Sequence, residues 1–129
     1  MYSPLFWIEW LDRLDRVLTS ARQDVALLKR TVSPRSLEAI GRSKRQLAAL
    51  LSDMQLLDRD VLAAGAKHNG AENLQKALDT TVIQLGSLAE IPAASAPGVL
   101  DRMLAASDAA LRDSCYEAAM LLQPARRRA

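Results

Sequence analysis

The sequence predicts an all-α protein, an antiparallel up-down-up-down four-helix bundle with a long N-terminal helical hairpin. Three observations carry that expectation. Apolar residues step by fours and threes through Trp7, Leu11, Leu14, Leu18, Ala21, Val25 and Leu28, which holds them on one seam of a long helix. Gly and Pro number only five each against abundant Ala, Leu and Arg, a mixture that favours helix. Ser-Pro, Asn-Gly and a Pro-rich stretch punctuate the chain, and no segment alternates with the period of two that a strand needs.

The first helix is expected over about residues 4–30. Ser3 is a good N-cap, and Pro4 suits a first turn, where its missing N–H costs nothing. Glu9 with Arg13 and Asp12 with Arg16 are acid-before-base pairs at i, i+4, marking a solvated face. Lys29 and Arg30 complement the dipole in the last turn.

Ser33-Pro34 repeats the start signal for a second helix over about 34–66. It carries Ile40, Leu47, Leu50, Leu51, Met54, Leu57 and Val61 on one side, and Glu38 pairs with Arg42 outside. Asn69-Gly70 is expected as its left-handed stop. A third helix over about 71–90 steps through Leu74, Leu78, Thr81, Leu85 and Leu88, with Glu72 and Lys76 on its wet face. The segment from Glu90 to Gly98 holds two prolines and is expected as the longest loop.

The fourth helix, over about 98–122, steps through Leu100, Leu104, Ser107, Leu111, Ser114, Ala118 and Leu121, with Asp108 and Arg112 exposed. Pro124 is expected to end it, leaving residues 123–129 as a disordered basic tail. On these boundaries the first two helices outrun the last two. A helix of about 28 residues is a rod of about 40 Å. A shorter second hairpin would leave part of it uncovered, which points to a homodimer or to helices swapped between copies.

At 129 residues the chain is expected as one domain, residues 1–129, and its 50% apolar and 25% charged composition is globular. A net charge of +2 makes no demand for nucleic acid or membrane. The single cysteine, Cys115, excludes an internal disulfide and fits a reducing compartment. With no signal-peptide pattern and no apolar run of about 18 residues, a cytoplasmic location is expected.

The aromatic residues are the most uneven feature. Tyr2, Phe6, Trp7 and Trp10 lie in the first ten residues, and Tyr116 is the only other. Consecutive helical positions point about 100° apart, so one seam cannot hold Phe6, Trp7, Ile8, Trp10 and Leu11 together. The cluster either caps the bundle end, forms a protein interface or rests on a membrane or polymer surface. The expectation adopted is an interface through Tyr2, Phe6, Trp7 and Trp10, self-association included. In the expected topology both termini share an end, so Arg126, Arg127 and Arg128 would lie nearby. A solvated tail accounts for those three arginines more simply than a binding role.

A second basic cluster, Lys29, Arg30, Arg35, Arg42, Lys44 and Arg45, is opposed only by Glu38 and surrounds the first turn. Nucleic-acid binding would want base-reading or stacking residues beside it, and none are near. A solvated helix face is the simpler account.

Catalytic chemistry is not expected. His68 is the only histidine and belongs at a helix end, where it suits the dipole, and nothing brings it to Cys115. There is no Glu-x-x-His for a di-iron bundle, and Cys115 with His68 is too few ligands for zinc. No glycine-rich phosphate loop is present. No cofactor, metal or small-molecule substrate is therefore expected. Ser107, Ser114 and Thr81 on the seams are expected to bond back to i−4 carbonyls and permit close helix approach.

No motif names a family. In general shape the chain is similar to small bacterial all-helical adaptors, secretion chaperones and regulators, an analogy of class alone. The expected function is a non-enzymatic protein–protein interaction module that forms a homodimer. The alternatives are a phasin-like or peripheral-membrane surface binder on an anionic membrane or polymer, and a weak nucleic-acid binder through the Lys29–Arg45 patch.

Overall fold

Four helices follow one another in a computed structural model that describes the backbone of residues 4–63, 69–91 and 97–128, and the side chains of residues 8–55, 72–91 and 98–122. They are α1 (Pro4–Arg30), α2 (Pro34–Ala63), α3 (Asn69–Ala89) and α4 (Pro97–Arg128). There is no strand among the described residues. Helix α1 packs on α2 and α4, and α3 packs on the same two, which closes a four-helix bundle.

Among the described side chains the seams read from the sequence are the core, apart from Leu100 and Leu121, which are half-buried; Leu57 and Val61 of α2 lie outside the described side chains. In α1 every seam residue from Leu11 to Leu28 is fully buried, and in α3 so are Leu74, Leu78, Thr81, Leu85 and Leu88. In α4 the buried line runs through Leu104, Ser107, Leu111, Ser114 and Ala118, then ends on Leu122 rather than Leu121, which is half-buried. Each fully buried leucine contributes about 1.5–3 kcal/mol of apolar transfer.

Helix α2 adds two serines that hydrophobicity alone does not reveal. Ser36 and Ser43 are both buried and complete the register 36, 40, 43, 47, 50, 54. Ser36 does so by capping. Its backbone N–H donates to Ser33 Oγ at 3.1 Å, and Ser33 N–H donates to Ser36 Oγ at 2.9 Å. This is a reciprocal capping box in which serine takes the place usually filled by Glu or Gln. Ser36 Oγ also lies within donating distance of the Thr31 and Ser33 carbonyls, so the burial leaves no polar atom stranded.

Each helix pair has a specific link. Ser43 Oγ donates to Asp24 Oδ2 at 2.9 Å between α1 and α2. A Cβ placed on Gly41 would stand 3.9 Å from Ala89 Cβ, and one on Gly86 would stand 3.4 Å from Lys44 Cε, joining α2 and α3. Position 41 thus meets 89 while 44 meets 86. Between α3 and α4, Thr81 Oγ1 lies 2.8 Å from Ser114 Oγ and 3.0 Å from the Ala110 carbonyl. Lys29 pairs with Asp108 between α1 and α4.

Several expectations are corrected. Asn69-Gly70 does not stop α2 but forms the first residues of α3. Asparagine is as good an opening residue as a closing one, and a first turn tolerates glycine because its N–H groups have no helical partner in any case. Residues 64–66, where α2 was expected to finish, lie outside the described residues. Pro124 does not end α4, which runs on to Arg128, so the sequence 126–128 is helical rather than a disordered tail. A proline removes one hydrogen bond and crowds the carbonyl four residues back. A long helix already nucleated propagates easily, and Ala and Arg are strong helix formers.

The last two helices are not both shorter than the first two: α4, with 32 residues, is the longest, against 27 in α1 and 30 in α2, while α3, with 21, is the shortest as expected. Asp108 is held by Lys29 across the bundle, not by Arg112 along its own helix. Ser107 Oγ is buried and makes no hydrogen bond, so the expected bond to its i−4 carbonyl is absent.

Gly41 sits inside α2 where an added methyl would meet only ordinary contacts, at 3.6 Å from an Arg45 nitrogen and 3.9 Å from Ala89. Gly41→Ala is therefore expected to stabilise the fold by about 0.5–1 kcal/mol, a rise of about 2–4 °C in Tm by calorimetry. A fall in Tm would show that the α2–α3 approach is closer than those distances indicate.

Candidate interaction surfaces

The N-terminal aromatic cluster divides. Trp10 is only 3% exposed and belongs to the core, so it is not an interface residue. It stands four residues before Leu14 and seven before Val17, on the flank of the seam, where an apolar stripe wider than two positions per heptad still reaches the interior. The side chains of Tyr2, Phe6 and Trp7 lie outside the described residues, as do those of Arg126, Arg127 and Arg128.

The basic cluster is also thinner than its sequence suggests. Lys29 is engaged by Asp108, and Lys44 lies half-buried with its aliphatic stem across Gly86. A lysine laid on apolar surface in this way acts through its methylenes as much as its charge. Arg30, Arg35, Arg42 and Arg45 remain exposed, and none makes an ion pair among the described residues. Glu38 lies within their stripe on α2 and is exposed too.

Cys115 is half-buried beside Arg22 and Asp15. Burial pushes its thiol above the usual range. The Arg22 guanidinium offsets part of that by charge and hydrogen bonding, and Asp15 adds to it. A thiol held protonated is a poor nucleophile at neutral pH, which separates Cys115 from activated cysteines. His68 lies outside the described residues. Among the described residues no three His, Cys, Asp or Glu side chains stand together as metal ligands, and no helix is long and apolar enough to cross a membrane.

One surface was not singled out from the sequence. On α4, Tyr116 is 63% exposed and Met120 is 56% exposed, and they sit one helical turn apart. Tyr116 borders a groove of about 300 Å³ between α3 and α4, whose rim carries Lys76 from α3 and Asp113 and Glu117 from α4. These charges of opposite sign share the groove without closing an ion pair across it. Ile83, 59% exposed, lies three residues beyond Thr80, which also lines the groove. The available signal was the i, i+4 spacing of Tyr116 and Met120 off the 107-111-114-118 seam. It is two residues long, too short to stand out from a helix rich in alanine.

No protein-family model, no curated protein and no solved structure matches this chain.

Proposed function

We propose that this chain is a non-enzymatic helical-bundle interaction module that self-associates through the outer face of α3 and α4. The observation that carries the reading is the pair Tyr116 and Met120, both more than half exposed beside the α3–α4 groove. Large apolar side chains in adjacent turns outside a complete core are the composition of an interface centre. A second copy is the occupant favoured by charge. In a twofold contact the same patch meets itself, so Lys76 of one copy would face Asp113 or Glu117 of the other. Among the described residues neither sign is consumed in an ion pair, which leaves both available for that exchange.

The test is solution mass by light scattering across a wide concentration range. The wild-type chain is expected to be a dimer, and Tyr116→Ser with Met120→Ser a monomer of unchanged helicity. Both residues are exposed, so the substitutions leave the core untouched. Lys76→Glu should weaken the dimer and Asp113→Lys with Glu117→Lys should restore it in that background. A wild-type monomer at every concentration, or a dimer indifferent to the Tyr116 and Met120 changes, would overturn the reading.

A further inference from the structure

We infer that the end of the bundle at the α1–α2 turn docks on an anionic lipid bilayer. The site is distinct from the α3–α4 face and does not depend on it. Arg30 closes α1, and Arg35, Arg42 and Arg45 follow on α2 at steps of seven and three, which places the latter three on one exposed stripe. The arginines are the members of the basic cluster left uncommitted, since Lys29 is paired with Asp108 and Lys44 lies along Gly86. A guanidinium nitrogen of Arg45 comes within 3.6 Å of the Cβ position of Gly41, so this side chain folds back along α2 toward the turn and concentrates charge there.

Two exposed aliphatic residues are interleaved with the charge. Leu27, 52% exposed, and Val32, 37% exposed, flank Arg30, and Arg35 follows three residues after Val32. Arginine beside exposed aliphatic side chains suits a headgroup layer, where the guanidinium groups meet lipid phosphates and the aliphatic groups enter the acyl boundary. The same neighbours argue against nucleic acid, which would be served by stacking aromatics or base-reading amides at those places. The acidic side chain inside the stripe is Glu38, and Glu90 follows Ala89 at the same end of the bundle. Asp101 of α4 lines a groove with Lys29 there and is followed by the exposed Arg102, so four free arginines still outnumber the three acids near them. Among the described residues no helix is long and apolar enough to cross a membrane, and the contact inferred is a peripheral one.

The experiment is co-sedimentation of the intact chain with phosphatidylcholine vesicles and with vesicles that also contain phosphatidylserine. Binding is expected only to the second. Each arginine near an anionic surface is worth about fivefold in partitioning, so Arg35→Gln with Arg42→Gln should weaken binding about twenty-five-fold. Leu27→Ser with Val32→Ser should weaken it as well, while leaving helicity unchanged because both positions are exposed. Failure to bind phosphatidylserine vesicles would overturn the inference. So would equal binding to both vesicle types, or vesicle binding indifferent to the Leu27 and Val32 changes. A preference for duplex DNA over vesicles, with steep salt dependence, would assign the arginines to nucleic acid instead and overturn it too.

Discussion

Trp10→Ala is expected to cost about 3–5 kcal/mol of folding stability, the range for removing a buried aromatic side chain from a packed core. The indole is only 3% exposed and joins the cluster that contains Leu11 and Leu14. Truncation removes most of a side chain that buries about 150–250 Å² and leaves a void the helices can only partly close. A domain of this size has about 5–15 kcal/mol in total, so the variant should unfold at much lower urea concentration. Urea titration followed by circular dichroism checks this. Loss of self-association with unchanged stability would instead return Trp10 to the surface.

The second large expectation concerns the hydroxyls in the α3–α4 seam, where similar residues should respond with opposite sign. Ser107→Ala should raise stability by about 1–3 kcal/mol, because Ser107 Oγ is buried with no hydrogen-bond partner and the alanine methyl removes that desolvation cost. Thr81→Val should lower stability, by about 1–3 kcal/mol, because its hydroxyl is engaged. Thr81 Oγ1 lies 2.8 Å from the Ala77 carbonyl, 3.0 Å from the Ala110 carbonyl and 2.8 Å from Ser114 Oγ. With one hydrogen to give, Thr81 donates toward the carbonyls and accepts from Ser114.

Valine would keep the shape and leave Ser114 Oγ buried without its partner. Adding Ser114→Ala should recover most of the loss, since removing both partners strands nothing. The double-mutant cycle therefore carries a coupling energy of about 0.5–3 kcal/mol. Additive losses would show that Ser114 turns to its own i−4 carbonyl and that the interhelical bond contributes little.

Much of the fold was legible because a helix seam is a local property. Leu11 to Leu28 and Leu74 to Leu88 follow steps that only one structure satisfies, and every one of them within the described side chains is buried. Ser33 and Pro34 likewise announce the start of α2 in their own chemistry, and the helix begins there. Ser36 and Ser43 were not legible as core. A serine is buried when a specific acceptor waits for it, here the carbonyl of Thr31 and the carboxylate of Asp24, and hydropathy carries no record of acceptors. Pro124 misled because a proline removes one hydrogen bond and crowds one carbonyl without forbidding the next turn, which Ala125 and the three arginines favour.

The candidate surfaces were less legible, and for one reason. Exposure of an off-seam residue depends on how closely neighbouring helices approach, which is set by side chains distant in sequence. Trp10 and Tyr116 are both aromatic and both off the central seam, yet one is 3% exposed and the other 63%. The charge on the first turn was readable as composition, but not which lysines would be taken up elsewhere.

By itself the sequence determined four amphipathic helices, their seams and the cap that opens the second, because each rests on contacts within a few residues. The tertiary structure alone decided that Trp10 is core, that Asp108 belongs to Lys29, that Ser107 is stranded while Thr81 is bonded, and that Tyr116 and Met120 stand outside. Those outcomes depend on which helix faces which and how near, and pairs such as 29 with 108 or 81 with 114 leave no mark on the periodicity of either partner.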